Sequence, residues 1–194
     1  MTSVKKLLVC CMSVAIALLG MIVEAAAPTT TDFEEWAVAD AMVHYVGPVY
    51  ARDGLIFSAT VPQGSSNTPG LGTFGTLSSS FPGSTFLFNI NGGGGTTLAR
   101  SDGRSFHLFS MDLAETPNID PDGNPIDLGS FTLTFVGIRA NGSTVRATAT
   151  IDPFPSATTF KFPKFTNVVS VMWFQGGGGA SGLTHQFDNV RVSE

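Results

Sequence analysis

One acidic residue near the end of the chain stands where a strand pattern breaks. In the last predicted strand, strict alternation puts Phe187 on one face but Val190 and Val192 on the other. A β-bulge at Asp188 and Asn189 would return all three apolar side chains to one face. Because the bulge would place Asp188 in irregular backbone, its carboxylate is the first candidate for a special site.

A second acidic group lies between Asp120 and Asp127, which reads DPDGNPID. Carboxylates two residues apart with a following glycine resemble a calcium-binding loop. The spacing and terminal Glu of an EF-hand are missing, and Pro121 is awkward in such a loop. A type I turn explains the same residues, so both interpretations stay open.

Histidines and carboxylates give no catalytic pattern. His44, His107 and His185 never occur at metal-ligand spacing, and we interpret them as hydrogen-bonded framework residues. The patterns Gly-x-Ser-x-Gly and His-Glu-x-x-His are both absent. Glu34 and Glu35 are neighbours, and neighbours on a strand point to opposite faces, so they are no glycosidase pair. The sequence predicts no catalytic residue, although a distant carboxylate pair is left open.

Aromatic side chains offer another chemistry, which is stacking on sugar rings. Trp173 lies in an apolar run that predicts burial. Tyr45 and Tyr50 lie in a connection whose Gly47 and Pro48 predict turns, so both tyrosines are candidate ligand-binding residues. The chain has 16 Phe but only 2 Tyr and 2 Trp, which indicates that most aromatic side chains fill a core.

The elements that must position these side chains are short strands. About ten apolar or alternating segments follow one another with turn signals between them, a pattern typical of a two-sheet antiparallel sandwich. Phe131, Leu133 and Phe135 alternate with polar residues, and Asn141-Gly142 predicts a hairpin turn after them.

Two further hairpins are predicted from turn residues. Asp102-Gly103 separates two β-like segments and predicts a tight turn between paired strands. The segments 168–174 and 185–192 are separated by Gly176 to Gly179, which predicts a closing hairpin.

The first 25 residues predict a signal peptide. Lys5 and Lys6 precede the apolar stretch Leu7 to Val23, and small residues then lead to a cleavage site after Ala25. The mature chain would be one β-sandwich domain, residues 26–194, with no internal repeat or linker. We therefore expect a secreted protein, extracellular or periplasmic.

Cysteine content and charge exclude several classes of function. Cys10 and Cys11 leave with the leader, which excludes a disulfide framework and a cysteine metal site in the mature chain. Of 10 Lys and Arg and 15 Asp and Glu, loss of Lys5, Lys6 and Glu24 leaves 8 and 14, a net charge of −6. A domain this acidic is a poor nucleic-acid binder.

Three segments together resemble a known group of secreted proteins. They are Asp32-Phe33-Glu34 near the start, Phe106 to Ala114 in the middle and His185 to Val190 at the end. Their order and spacing resemble secreted bacterial jelly-roll domains found in proteins with a PEP-CTERM sorting tail. More distantly, they resemble carbohydrate-binding modules with a galactose-binding-like sandwich. The resemblance implies an all-β, jelly-roll-type sandwich.

The resemblance also implies a metal site. In the module families, a Glu on the first strand and an Asp on the last strand often share one structural Ca²⁺ with backbone carbonyls. The matching residues are Glu34 and Asp188. First and last strands that pair would bring both carboxylates together, and a bulge would free carbonyl oxygens, the ligands that Ca²⁺ prefers. The other interpretation makes both carboxylates caps or solvated charges at the rim of the domain.

Two functions follow as expectations. The first is a non-enzymatic module that binds extracellular glycan or a surface polymer through Tyr45 and Tyr50, with a possible structural calcium. The second is a structural or self-assembling protein of the envelope or matrix. The chain ends at Glu194 without a Pro-Glu-Pro motif or an apolar tail, so we expect no stable membrane anchor.

Overall fold

The computed structural model describes residues 27–116, 118–119, 125–126, 129–175 and 184–194. The predicted signal peptide, the acidic residues Asp120, Asp122 and Asp127, and the glycines 176–179 lie outside the described residues. Within the described ranges, no helix is long and apolar enough to cross a membrane.

The described chain folds almost entirely into strands, with one short 3-10 helix over Glu34–Trp36. In chain order the strands are β1 (Thr29–Thr31), β2 (Val43–Gly47), β3 (Val49–Arg52), β4 (Leu55–Ala59), β5 (Leu71–Phe74), β6 (Leu87–Asn89), β7 (Gly95–Arg100), β8 (His107–Thr116), β9 (Asn118–Ile119), β10 (Pro125–Ile126), β11 (Phe131–Arg139), β12 (Thr144–Ile151), β13 (Ala157–Lys161), β14 (Val168–Phe174) and β15 (Thr184–Ser193).

Two antiparallel sheets form the domain. Sheet A has the order β13-β8-β15-β6-β5-β2, and β1 also pairs with β15. Sheet B has the order β12-β11-β14-β7-β4-β3, and β9 pairs with β10 as a separate ribbon. The predicted all-β, two-sheet antiparallel sandwich is therefore confirmed.

Phenylalanine fills the space between the sheets. Phe187 of sheet A is fully buried, and its ring centroid lies 5.7 Å from that of Phe57 and 5.0 Å from that of Trp173, both in sheet B. Phe33, just after β1, packs edge-on against Phe187 at 5.8 Å. Burial of this many aromatic side chains between two layers is the main stabilising contribution available without disulfides.

The β11–β12 hairpin forms as the sequence predicts. The two strands pair from Phe131 with Ile151 to Ile138 with Thr144, and the alternate residues of β11 are buried and exposed in turn. Gly142 has φ +81°, a conformation that suits glycine in this turn. The Asn141-Gly142 turn and the alternation of apolar residues in β11 predict the same hairpin, and the structure confirms it.

The other two predicted hairpins are wrong. Strand β14 lies in sheet B between β11 and β7, whereas β15 lies in sheet A between β8 and the pair β1 and β6. Asp102-Gly103 joins β7 of sheet B to β8 of sheet A. Gly103 does have a positive φ of +71°. The Asp102-Gly103 turn shows that turn residues reverse the chain without deciding its partner. The packing of the two layers decides whether the next strand pairs with its neighbour or crosses to the opposite sheet.

Candidate functional site

The last strand contains the predicted bulge. The register between β15 and β8 shifts between Asp188 and Arg191, and Asn189 has a positive φ of +49°. Phe187 and Val190 are both fully buried as a result, and Val192 is 4% exposed. The predicted bulge is confirmed, and it keeps three apolar side chains in the core while Asp188 faces away from it.

The carboxylate of Asp188 is almost completely buried. Its Oδ2 accepts hydrogen bonds from Ser84 Oγ at 2.8 Å and from Asn189 Nδ2 at 3.3 Å. Its Oδ1 is buried and has no hydrogen-bond partner in the described part of the chain. Burial raises the pKa of Asp188 to about 6, and the carboxylates of Glu34 and Asp112 add to that rise against the hydrogen bonds of Ser84 and Asn189.

Glu34 lies close to this site, but not on a strand. It begins the 3-10 helix, three residues after β1, so the prediction of a strand position is wrong. Its two carboxylate oxygens accept hydrogen bonds from Thr85 N at 2.9 Å and Thr85 Oγ1 at 3.2 Å. Because Ser84 binds Asp188 and Thr85 binds Glu34, one dipeptide joins the two predicted metal ligands. The predicted pairing of the first and last strands is right, since Thr31 pairs with Val190.

Asp112 is a third carboxylate that sequence reasoning missed. It is the direct cross-strand partner of Asp188, and its side chain is partly exposed. Its Oδ1 accepts a hydrogen bond from Thr159 Oγ1 at 2.5 Å, and its Oδ2 accepts one from Asn189 Nδ2 at 2.9 Å. Like charges directly opposite on two strands repel each other, so this pair favours a bound cation or a bound proton.

The donor atoms of this site suit calcium only in part. Carboxylate and hydroxyl oxygens are the hard ligands that Ca²⁺ takes, and Asp188 Oδ1 is an orphaned buried oxygen. No group of three or more His, Cys, Asp or Glu side chains that could hold a metal occurs among the described residues. An ion here would therefore need backbone carbonyls beside Glu34 and Asp188.

Tyr45 lies on an exposed strand rather than in the predicted turn-rich connection. It belongs to β2, the edge strand of sheet A, and 53% of its surface is exposed. Its hydroxyl donates a hydrogen bond to Pro69 O at 3.1 Å. The ring passes over Gly70, where a Cβ atom would lie only 2.4 Å from Tyr45 Cε2. The ring is thus held against the backbone with one face outward.

Two apolar side chains extend this exposed surface. Val43 is on the same face of β2 and is 52% exposed, and Ile90 is 40% exposed. Ile90 also lies over Gly70, where its Cδ1 atom would be 2.7 Å from an added Cβ. We call the surface of Val43, Tyr45 and Ile90 the Tyr45 platform.

Tyr50 belongs to the core. It lies in β3, is 9% exposed, and its ring contacts Phe33 and Phe57 at centroid distances of 5.6 and 6.2 Å. Its hydroxyl donates a hydrogen bond to Glu35 Oε1. Burial raises the pKa of Tyr50 to about 12. The predicted loop over 45–50 is wrong because both tyrosines lie in strands, and the ring of Tyr50 presents no exposed face.

Two of the histidines have ordinary surroundings. His44 contacts Asp40 Oδ1 at 2.8 Å through Nε2, and the two side chains are partly exposed. His107 is half-buried, with its ring stacked near that of Phe109 at 6.4 Å.

Comparison with known proteins finds similarity of fold alone. No protein-family model matches the sequence, and no curated protein matches it. A mutant of the family 29 carbohydrate-binding module CBM29-2, solved with mannohexaose, is 11% identical, has a TM-score of 0.44, and the match covers 79% of this chain and 92% of that one. Another CBM29-2 mutant is 12% identical, with a TM-score of 0.41 and 86% of each chain covered.

A module of a different family also matches. The family 32 carbohydrate-binding module from C. perfringens NanJ, solved with galactose, is 13% identical and has a TM-score of 0.41. The match covers 79% of this chain and 100% of that module. The sugars in these complexes are ligands of those modules, and no residue of this chain is assigned from them.

Proposed function

We propose that this chain is a secreted, non-catalytic β-sandwich that binds carbohydrate on the Tyr45 platform. The observation that carries the proposal is the half-exposed Tyr45 ring, which lies over Gly70 and whose hydroxyl donates a hydrogen bond to Pro69 O. Export is supported by the basic and apolar leader of the sequence. The absence of a catalytic motif from the sequence supports a binding role.

The geometry of the platform suits the face of a sugar ring. Pyranose rings present C–H groups on their faces, and an aromatic ring packs against such a face with large contact area. Because the Tyr45 ring is already fixed at its hydroxyl, binding removes little additional side-chain freedom. Ligand sites combine mostly apolar contact surface with a few polar groups that fix orientation, and the platform offers the apolar part.

Polar groups lie next to the platform. Residues 66–68, which read Ser-Asn-Thr, are exposed immediately before Pro69 and offer hydroxyl and amide groups to sugar hydroxyls. This segment is tied down, since buried Asn91 donates a hydrogen bond from Nδ2 to Thr68 O at 3.0 Å. The polar edge is therefore held by Asn91, which directly follows Ile90 of the Tyr45 platform.

The experiment is a binding screen against soluble polysaccharides, followed by calorimetry with the best binder. Tyr45→Ala is expected to lower affinity at least about tenfold, which is about 1.4 kcal/mol, because it removes the stacking surface. Tyr45→Phe keeps the ring and should stay within about threefold of the wild type. Tyr50→Phe is the matched control, since it removes a tyrosine hydroxyl away from the platform. Equal binding by Tyr45→Ala and wild-type protein would reject the platform.

A structural Ca²⁺ held by Glu34 and Asp188 is the second part of the proposal. The orphaned Asp188 Oδ1 and the opposed pair Asp112 and Asp188 both support a bound positive charge. When bound, the ion would supply charge neutralisation. Glu34 and Asp188 would then join the 3-10 helix to the last strand more firmly than the Ser84-Thr85 dipeptide does alone.

The calcium proposal predicts a melting temperature that falls in EDTA and recovers on addition of Ca²⁺. A ligand that binds only the native state stabilises it, so saturating Ca²⁺ should raise Tm by several degrees. Asp188→Ala should remove the response to Ca²⁺, whereas Asp152→Ala, at an acidic residue elsewhere on the domain, should keep it. A melting curve that is identical with and without Ca²⁺ would exclude the ion.

A self-assembling envelope protein is the second candidate, and the distribution of charge favours it. Acidic side chains surround Arg52 near the β3 edge, where Asp32, Glu35 and Asp53 all form ion pairs with it. Among the described residues, several cations of the later strands and of the loop before β14 form no ion pair: Arg139, Arg146, Lys161, Lys164 and Arg191. Strands β12 and β13 are edges, as are β2 and β3 on the other side.

Size-exclusion chromatography with light scattering separates the two candidates. Self-assembly predicts an apparent mass that grows with protein concentration and falls in high salt, without any sugar present. A monomer at all concentrations that still binds polysaccharide supports the binding module.

A further inference from the structure

A layer of polar side chains lies between the sheets at one end of the sandwich. Along the core, Phe187 of β15 lies opposite Leu113 of β8, and one step further His185 lies opposite Glu115. Alternate residues share a face, so His185 and Glu115 point to the same side as Phe187 and Leu113, into the interior. Across the gap, Gln175 follows Trp173 by two residues, and Trp173 contacts Phe187.

We call Glu115, Gln175 and His185 the polar end cluster. Glu115 and His185 belong to sheet A, and Gln175 directly follows β14 of sheet B. One hydrogen bond joins Gln175 to His185, and another holds Glu115 to the loop after β12. Gln175 Nε2 donates to His185 O at 2.6 Å, and the amide N–H of Phe154 donates to Glu115 Oε2 at 2.7 Å. The three side chains are 0–1% exposed.

Four polar atoms of this cluster have no hydrogen-bond partner among the described residues. They are Glu115 Oε1, Gln175 Oε1 and both ring nitrogens of His185. A buried polar atom without a hydrogen bond destabilises the fold, and native proteins rarely leave several together. The imidazole ring of His185 has two nitrogens, and in the neutral ring one of them offers a lone pair.

A water molecule satisfies such atoms only in part. Glu115 is a carboxylate in the interior, and it forms no ion pair with any described Lys, Arg or His. Water leaves that negative charge uncompensated, whereas a divalent cation neutralises it. The unpartnered atoms include one imidazole nitrogen with a lone pair and two carbonyl-type oxygens, a mixture that suits first-row transition metals better than Ca²⁺ or Mg²⁺.

We propose that the polar end cluster binds one divalent transition-metal ion, with a ring nitrogen of His185, Glu115 Oε1 and Gln175 Oε1 as its protein ligands. Cross-strand pairs such as Glu115 and His185 have Cβ atoms about 5 Å apart, close enough for both side chains to reach one ion. Gln175 adds a ligand from the opposite sheet, so the ion joins sheets A and B. The site is separate from the Tyr45 platform and from Asp188.

The test uses the mature protein, stripped with EDTA, dialysed and titrated with Zn²⁺ alone. Calorimetry is expected to give one Zn²⁺ per chain, and the melting temperature is expected to rise by at least about 5 °C at a hundredfold excess of free Zn²⁺ over Kd. His185→Phe should lose both effects while it remains folded, because phenylalanine fits the apolar layer beside it. Without Zn²⁺, this variant should melt no lower than the wild type, since it removes two unpartnered atoms.

Three further variants make the result specific. Glu115→Gln still accepts the hydrogen bond of Phe154 but lacks the charge, and it should weaken Zn²⁺ binding at least tenfold. His44→Ala removes the partly exposed histidine beside Asp40 and should leave Zn²⁺ binding unchanged. Asp188→Ala should keep the Zn²⁺ response even where it loses the Ca²⁺ response. A wild-type Tm unchanged by Zn²⁺, or a Zn²⁺ response that His185→Phe retains, overturns the proposal.

Discussion

Asp188 shows how one bulge changes the chemistry of a side chain. The shift in register keeps Phe187 and Val190 in the core and turns the carboxylate to the opposite side, where Ser84 and Asn189 contact it. Because one oxygen stays unpartnered, its burial raises the pKa of the group to about 6. The native state of the metal-free protein therefore holds a proton more tightly than the unfolded chain does.

This difference predicts a pH dependence for the metal-free protein. The pKa of Asp188 is about 6 in the folded protein, against an ordinary value of 3.8, so the folded form binds more protons between those values. The contribution of Asp188 to the free energy of unfolding is highest below pH 3.8. It falls by about 3 kcal/mol as the pH rises through about 6. Bound Ca²⁺ should remove this slope, because it favours the ionised carboxylate.

The measurement is a difference between two proteins. His185 has the opposite effect in an overlapping range, since its pKa is lowered from 6.5 to about 3 and its stabilising contribution is lost as the pH falls. Denaturant unfolding of wild-type protein and Asp188→Asn at pH 4 and pH 7, both in EDTA, cancels the contribution from His185. We expect Asp188→Asn to be the more stable of the two at pH 7, with little difference at pH 4. A difference that does not depend on pH would contradict the raised pKa.

The sequence predicts part of this site and cannot predict the rest. Asp188 is found because Phe187 and Val190 break the alternation, which is a local signal. Ser84 is 104 residues away, and Asp112 is 76 residues away, so no spacing in the sequence relates them to Asp188. The role of Glu34 as a metal ligand is predicted only from the family resemblance. Glu34 lies in a 3-10 helix and not in a strand because β1 ends at Thr31.

At the level of elements, the exposed ring on the edge strand β2 lies over Gly70, the residue immediately before the neighbouring strand β5. Gly70 leaves room for the side chains of Tyr45 and Ile90. A methyl group on Gly70 would overlap Tyr45 Cε2, which would lie only 2.4 Å away. The exposed end of the Tyr45 side chain moves more easily than the sheet, so we expect the ring to tilt away from its position.

Gly70→Ala is accordingly predicted to weaken polysaccharide binding at least about threefold, with a Tm that falls by only a few degrees. Calorimetry and thermal melting measure the two effects separately. Gly92→Ala is the matched control, because nothing lies within 4 Å of a Cβ added there. Binding by Gly70→Ala equal to that of Gly92→Ala would mean that the position of the ring does not matter.

The sequence predicts a pair of strands correctly where the alternation of apolar residues and the turn residues indicate the same hairpin. The alternation of β11 and the Asn141-Gly142 turn give a hairpin in the sequence and in the structure. Asp102-Gly103 gives the same local signal, yet β7 and β8 lie in different sheets. A strand pairs with the next strand in the chain only where that side of it is free. Strand β14 has β11 and β7 on its two sides, and these strands come from distant parts of the chain. Gly47 and Pro48 predict a loop around Tyr45 and Tyr50, but only Pro48 separates β2 from β3. Both tyrosines therefore lie in strands.

At the scale of the whole molecule, composition and the alternation of apolar residues predict the class of fold. They do not predict which of the two sheets each strand joins. Abundant phenylalanine, sparse charge and frequent turn residues suit a sandwich with one aromatic core, and Phe33, Phe57 and Phe187 form its centre. The polar end cluster was invisible in the sequence because Glu115, Gln175 and His185 belong to three strand regions that meet only when the two sheets stack.

The first and last strands also fix where the chain enters and leaves. Thr29 pairs with Val192, so the two ends of the described domain lie side by side at one corner. A short linker between them would close the chain into a ring, and new ends opened at the exposed Asn141-Gly142 turn would preserve every sheet. The same corner would let this sandwich be inserted into a surface loop of another protein without separating that loop's two sides.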